Sequence, residues 1–587
     1  MSVSRSTHVS DHPRPMNFFR LLLSLTVALV MLPGVGSAQT VLIRVMNAEG
    51  SEPMVGAISY LVDGSGKMAK NALTDERGRA LFINIPAGSY IVRAEMIGMA
   101  TAETAMFSVS AGATITEELR LQSSAIQLEG IEVELDSGRC EIRPDGEGLL
   151  VATVWDEARK ALEAAALTDQ RGAYRYETMR YDRRIDRGSG VILSEDQSSR
   201  DGYMSTPFES RPAEDLAMNG FVQRDGREFV YYAPDATVLL SDFFLDTHCF
   251  KMHRSGRSEA GEIGLGFEPT GETKRVPDIA GTMWLDPETA ELRWLEYQYR
   301  YLDPEMTSDE VGGRVDFRRM PDGSWIVPEW WIRMPIMTTQ TDFEGRPRPY
   351  IAQYHQTGGL VLEVREAGGR SLGQRAETGG IEGVVLDSIG AVLAGVRIGV
   401  VGSNQEVFSN ALGEFSIIGL TEGRYQVRFV DRLLAQAGYI PEPVTQDVIR
   451  GEVAALEYHM PSIGDVLFEA CRGIERNERS VLLAGTVVDA RGRPVPGATV
   501  RVSWTGYNVM GGGGINPRDG DIAGLTETSD GFETSASETG FFRFCGVPAN
   551  IRMRLYAATS DSESENYEVQ IPDYETGQLR VLEVGRN

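Results

Sequence analysis

Cations are scarce in this chain. Fifty-seven Lys and Arg stand against 84 Asp and Glu, a formal charge of −27. A polyanion of that size repels phosphate backbones, which argues against a nucleic-acid partner and points to a well-solvated surface. Beyond residue 38 no apolar run is long enough to cross a bilayer, so no transmembrane span is expected in the mature chain. The glycine run 511–514 lacks the Lys-Ser/Thr that a phosphate loop needs. Cysteines number only four: Cys140, Cys249, Cys471 and Cys545. What remains is an ordinary globular composition over 587 residues, enough for about four units.

The N-terminus carries an address. Arg20 precedes an apolar run from Leu21 to Leu32, then Pro33-Gly34 breaks it and small residues stand at Gly36 and Ala38. This pattern predicts a secretory signal peptide over 1–38, cleaved after Ala38, with translation starting at Met16. No cysteine follows the cleavage point, so lipid attachment there is not expected. An exported chain, in the periplasm, at the outer-membrane periphery or outside the cell, favours disulfides over metal ligation for its cysteines. Three pairings are possible. Spacing favours Cys140 with Cys249 and Cys471 with Cys545; the rival joins Cys140 to Cys471.

Three stretches repeat a plan. A short apolar strand ends in Asn47, Asp387 or Asp489, and a turn closes at Gly50, Gly390 or Gly492. A second glycine follows at Gly56, Gly395 or Gly497, then an alternating strand, then a turn of the type "DERG" (75–78), "NALG" (410–413) or "SETG" (537–540). Asp, Asn and Ser fold back on their own backbone, and Gly accepts the positive φ that closes the bend. Beyond that turn the period is two. Ala80 and Phe82, Phe415 and Ile417, and Phe542 and Phe544 face inward, as do Tyr90/Val92/Ala94, Tyr425/Val427/Phe429 and Ile551/Met553/Leu555. Arg93, Gln426, Arg428, Arg552 and Arg554 face water. This alternation predicts antiparallel sheets with one buried face, packed as sandwiches.

The spacing resembles the carboxypeptidase regulatory-like domain, a transthyretin-like β-sandwich also grouped with carbohydrate-binding-like folds. The resemblance covers roughly 40–130, 381–461 and 481–587. The first copy departs from it by inserting Ser51-Glu52 and by carrying Asn47 in place of Asp. The third copy carries an insertion (505–533) too Gly-rich to read as a packed element. The segment "SSAIQLEGIEVEL" (123–135) looks like the exit from such domains where they precede outer-membrane receptor modules.

The middle of the chain reads differently. Val151, Val154, Trp155, Ala158, Leu162 and Ala165 mark one face of a helix over 149–167. Strand-like runs follow at 173–181, 278–286, 291–303, 312–319 and 324–335, joined by short turns into an antiparallel meander. The "GTMWLDPETAELRWLEYQY" portion looks like the curved sheet of periplasmic lipoprotein-carrier-like proteins. The fold class is therefore mainly β: three small sandwiches flank a central curved sheet with one helix. The expected limits are 39–135, 136–365, a Gly-rich linker 366–380, 381–461, and 462–587.

Reactive constellations are missing. A zinc carboxypeptidase needs a His-x-x-Glu pair, and none of His8, His12, His248, His253, His355 or His459 has Glu three residues on; no HExxH helix exists either. His248, Cys249 and His253 cluster without a recognisable fourth ligand, which predicts a disulfide at Cys249 beside surface histidines. "GRSLG" around Ser371 mimics a nucleophile elbow but falls in the linker. Asp519 and Asp521 lack the spacing of a calcium loop. Neither a metal nor a cofactor is called for. The aromatics are the stronger lead: Trp284, Trp294, Trp325, Trp330 and Trp331 crowd the meander, where they form its core, stack a sugar or enclose an acyl chain. Neighbours on a strand point to opposite faces, so Trp330 and Trp331 cannot share one core. Trp504 and Tyr507 make a further stacking pair at the third insertion. The sequence thus describes an exported, non-catalytic envelope protein that binds a partner protein, a glycan or an apolar ligand. The alternatives are a dedicated carbohydrate-binding protein and an enzyme whose carboxylates only the fold brings together.

Overall fold

A computed structural model describes residues 39–587 apart from 125–140, 145–149, 173, 204–209, 227, 255–261, 272–275, 367, 373–376, 473–479, 510–524, 574, 576 and 587. The chain is mainly β. One pairing order appears three times. In each sandwich the opening strand (Thr40–Asn47, Gly379–Leu386, Ser480–Asp489) lies antiparallel to the strand after the second turn (Arg79–Ile83, Glu414–Leu420, Phe541–Pro548). It also lies parallel to a closing strand (Thr114–Leu121, Val453–His459, Gly577–Arg586). In the first two units a separate facing sheet centres on Ile58–Asp63 or Arg397–Val400. In the third the corresponding strand Thr499–Val509 belongs to one continuous sheet with the opening strand, joined through Ser562–Ser564. Each of the three is antiparallel to both of its neighbours. The purely antiparallel sandwiches expected from sequence therefore need correcting. The last strand crosses back to lie beside the first, and a period of two is the same in either direction.

The turns behave as their residues require. Oδ1 of Asp75 accepts from the backbone N–H of Arg77 and Arg79, Asp387 from Ile389 and Ala391, and Asp489 from Arg491 and Arg493. The glycine closing the second turn is positive in φ in all three copies (Gly78, Gly413, Gly540), and its carbonyl receives the N–H of Val45, Val385 or Val487. A Cβ there would lie 2.4–2.7 Å from the carbonyl oxygen of those valines, so backbone meets backbone too closely for any side chain. In the first copy Ser51, within the insertion, takes the left-handed φ, not Gly50.

The meander is one antiparallel sheet of ten strands. From one edge they run Ile192–Tyr203, Tyr174–Asp186, Pro347–Glu366, Glu329–Thr341, Gly312–Asp316, Leu292–Arg300, Asp278–Leu285, Ile263–Pro269, His248–Arg254 and Glu141–Ile142. The helix Leu150–Arg171 covers one face, packing Trp155 against Phe250 with ring centroids 5.2 Å apart and the rings tilted by 48°. Short helices at Ala213–Asn219, Ala236–Leu239 and Asp242–Thr247 add to the single helix expected. The helix-side layer is filled by Phe250, Leu265, Phe267, Met283, Leu295 and Tyr297, all buried. Glycines accommodate the large rings across strands. Gly281 lies beside Phe267 and Gly313 beside Tyr297, where an added Cβ would come within 2.8 Å of the Phe267 ring and 2.4 Å of the Tyr297 hydroxyl.

Charged contacts join the units. The first sandwich docks on the helix: Glu157 accepts from Gly98 N–H at 2.8 Å, Lys160 pairs with Glu157 at 2.8 Å, and Arg159 reaches Glu95 at 2.6 Å. The second sandwich shares a continuous buried core with the sheet rather than hanging from a linker, and the linker's last residues, Gly379 and Gly380, already pair in its opening strand. The connector to the third sandwich forms the helix Ile463–Ala470, whose Leu467 packs on Ala484 and Phe541. Part of the third insertion is regular too: Thr499–Val509 and Leu525–Ser535 pair as a long hairpin. Ile551 falls before its strand and is exposed, leaving Met553 and Leu555 to fill the core.

Candidate ligand site on the open face of the central sheet

Alternation sorts the tryptophans. Trp325, on a short strand paired with Arg318–Arg319 outside the ten-stranded sheet, is 2% exposed and bonds the helix through its backbone N–H to Thr168. Trp330 faces the helix side and is 6% exposed. Trp284, Trp294 and Trp331 point the other way and are half-buried. On that outward face Trp284 sits opposite Trp294, Glu296 opposite Arg314, and Arg314 opposite Trp331, giving one band across four strands. The Trp284 and Trp294 rings are 6.1 Å apart and inclined by 31°. Each of the other two members of the band carries an arginine: the Arg314 guanidinium lies 4.7 Å from the centre of the Trp294 ring, and Arg333 lies 5.1 Å from that of Trp331. Trp284 leans over Gly264, where an added Cβ would stand 2.8 Å from the ring.

Polar partners fix these groups. Trp284 Nε1 donates to Glu296 Oε1 at 2.9 Å, Arg314 Nε to Asp316 Oδ1 at 2.6 Å, and Arg333 Nε to Gln356 Oε1 at 2.9 Å. Arg333 also pairs with Glu310. His253, beside Thr282, is pushed below the usual imidazole range by burial and by Lys251, and so is neutral at neutral pH. Among the described residues the indole N–H groups of Trp294 and Trp331 have no hydrogen-bond partner. Flat apolar surfaces edged by fixed donors and acceptors suit contact with a bound molecule.

The band borders the second sandwich. Arg450 reaches Glu329 at 2.5 Å and Asp316 at 3.4 Å. Burial pushes Glu329 up to about 7 against the pull of Arg450. A similar shift occurs at Asp169, raised to about 7 by burial and by Asp235, but Asp235 already caps a helix through Val238 N–H.

The other residues singled out from sequence disperse. Trp330 lies over Gly359 in the helix-side core. Trp504 packs against the third sandwich's core, 5.3 Å from the Phe532 ring. Tyr507 pairs with Glu527 on the hairpin, and its side chain lies outside the described residues. Cys471 and Cys545 form a disulfide across 74 residues, tying the connector helix to the outer face of the third sandwich. Cys249 is disulfide-bonded, and its expected partner Cys140 lies outside the described residues. His248 is no surface histidine. It is fully buried, stacked 3.9 Å from the Phe244 ring and 3.3 Å from Asp278. Ser371 bridges to Arg365 in the turn after the sheet, while Asp519, Asp521 and the glycine run lie outside the described residues. Arg314 and Arg333 were missed by sequence reasoning. The signal was there for Arg333, which stands two residues beyond Trp331 on a strand and so shares its face.

A groove of about 390 Å³ runs beside the disulfide, between Ile463 and Leu467 of the connector helix and Leu482 and Leu579 of the third sandwich. Among the described residues no group of three or more His, Cys, Asp or Glu is placed to hold a metal ion, and no helix is long and apolar enough to cross a membrane.

No curated protein matches the chain. Among solved structures it is similar to the streptococcal ancillary pilin at 12% identity, covering 47% of this chain and 81% of that one with a TM-score of 0.16. It is also similar to the major pilin subunit of Bacillus cereus at 8% identity, covering 94% and 100%, with a TM-score of 0.13. Residues 380–455, nearly the whole second sandwich, match the carboxypeptidase regulatory-like domain, the family resemblance read from the sequence.

Proposed function

We propose that the chain is an exported, non-catalytic binding protein of the cell envelope. In this reading three carboxypeptidase regulatory-like sandwiches, over 39–135, 381–461 and 462–587, brace a central binding sheet. The observation that carries it is the inequality of the sheet's two faces. One is sealed by the helix and a filled aromatic layer, and the other leaves three tryptophans half-buried among arginines. The disulfide between Cys471 and Cys545 suits an oxidising compartment. The filled helix side speaks against an apolar ligand held inside the sheet, which leaves an envelope protein or a glycan. Carbohydrate binding is the second reading, favoured by the outward tryptophan band. The test is cell fractionation with the full chain, followed by retention of the purified protein on isolated envelopes. A chain that stays in the cytoplasm and is not retained by envelopes contradicts the proposal.

A further inference from the structure

Resting on that reading, we infer that the outward face of the central sheet is a platform for a neutral glycan chain, with Trp284, Trp294 and Trp331 stacking sugar rings and Arg314 and Glu296 binding hydroxyls. Charge narrows the choice. Arg314 and Arg333 are matched locally by Asp316, Glu296 and Glu310, so the band offers no net positive charge to a polyanion, and the chain as a whole carries −27. An apolar chain fits poorly as well, because a guanidinium lies over one face of two of the three rings, leaving the other face for a ligand, and a carboxylate holds the third by its indole N–H.

A sugar ring meets both demands, since its C–H face lies on an indole while its hydroxyls point to the rim. Rim capacity is available: the indole N–H groups of Trp294 and Trp331 are unpartnered among the described residues, and Glu296 is exposed. Neutral His253 and Thr282 lie on the same face beside Glu296. Spacing points the same way. Trp331 stands two strands from Trp294, roughly 10 Å across the sheet, with Arg314 between them. A 1,4-linked chain presents the same ring face again at about that length, on every second sugar.

The experiment titrates the full-length protein with cellohexaose, chitohexaose and polygalacturonate, following tryptophan emission and heat. Binding of at least one neutral hexasaccharide, little altered by salt, is expected. Trp294→Ala and Trp331→Ala should each weaken it roughly ten-fold, the equivalent of one lost aromatic stack. Trp294→Phe, which keeps a ring, should fall in between, and Trp504→Ala in the third sandwich should change nothing. Thermal unfolding of each variant separates lost binding from lost fold, and Arg314→Gln, which leaves every ring in place, should also weaken binding if any tryptophan variant misfolds. No binding of either hexasaccharide, salt-sensitive binding of polygalacturonate alone, or unchanged affinity in the folded variants overturns the inference. Retention on isolated envelopes is measured in parallel. Envelope binding without hexasaccharide binding removes the glycan and leaves the proposed function standing; loss of both removes both.

Discussion

Replacing Lys160 by methionine should release the first sandwich from the helix, and the structure sets the size of the effect. The Lys160 ammonium lies 2.8 Å from Glu157 Oε1 and 2.9 Å from Asp156 Oδ2, and the Lys160 and Glu157 side chains are 3% and 4% exposed. The other Glu157 oxygen accepts the Gly98 N–H at 2.8 Å, so this carboxylate joins sandwich to helix. Methionine keeps the apolar stem and removes the charge. Glu157 is then a buried anion with one remaining donor, and breaking such a pair costs about 3–5 kcal/mol. The cost should depend on pH. Burial already raises the Glu157 carboxyl above its ordinary value, and removal of Lys160 raises it further. A carboxyl raised in the folded state contributes stability below its unfolded pKa and loses it as pH rises, so the variant should be weakest at pH 8 and recover towards pH 5. Amide exchange at Gly98 and its neighbours, measured at both pH values, reads the local opening. Glu157→Gln combined with Lys160→Met should restore most of the protection at pH 8. A loss under about 1 kcal/mol would mark the pair as solvated like a surface ion pair. An equal loss at both pH values would refute the desolvation argument.

Other expectations follow from single contacts. Changing Cys471 and Cys545 together to serine opens a 74-residue loop and should cost the third sandwich about 4 kcal/mol in the chain-entropy model, read by denaturant unfolding of the oxidised protein. Gly313→Ala brings a methyl within 2.4 Å of Tyr297 Oη and 2.6 Å of the Trp331 carbonyl, and should destabilise by about 1–3 kcal/mol, seen as a lowered Tm. Glu329 is raised to about 7, so its share of stability is complete below its unfolded pKa and is lost as pH rises through 7. Glu329→Gln should flatten the dependence of Tm on pH between 5 and 8, and an unchanged slope would count against a buried carboxyl there.

Much of the fold could be read because turns and alternation are local. Asp75, Asp387 and Asp489 announce their own turns, and Phe415 and Ile417 or Phe542 and Phe544 declare the inward face. The parallel closing strands could not be read, since strand direction leaves no trace in a two-residue period. The glycines of the central sheet were equally opaque. Gly264, Gly281 and Gly313 weaken a strand on propensity alone, and only cross-strand register reveals the ring that each accommodates. His248 misled because a histidine beside a bonded cysteine looks like surface, whereas the backbone carbonyls of Phe244 and Ile279, together with Asp278, enclose it. For the candidate site, the opposition of Trp330 and Trp331 was legible. The companionship of Trp331 with Trp294 and Arg314 depends on which strands are neighbours.

The division of the tryptophans between two faces is the claim on which the rest stands, and oxidative footprinting of the native protein tests it directly. Brief exposure to an indole oxidant, followed by peptide mass spectrometry, ranks all seven tryptophans by access. The structure predicts that Trp284, Trp294 and Trp331 react well before Trp155, Trp325 and Trp330, and that adjacent Trp330 and Trp331 differ sharply. Equal reactivity at Trp330 and Trp331, or earlier oxidation of Trp325, would contradict the sealed and open faces of the sheet.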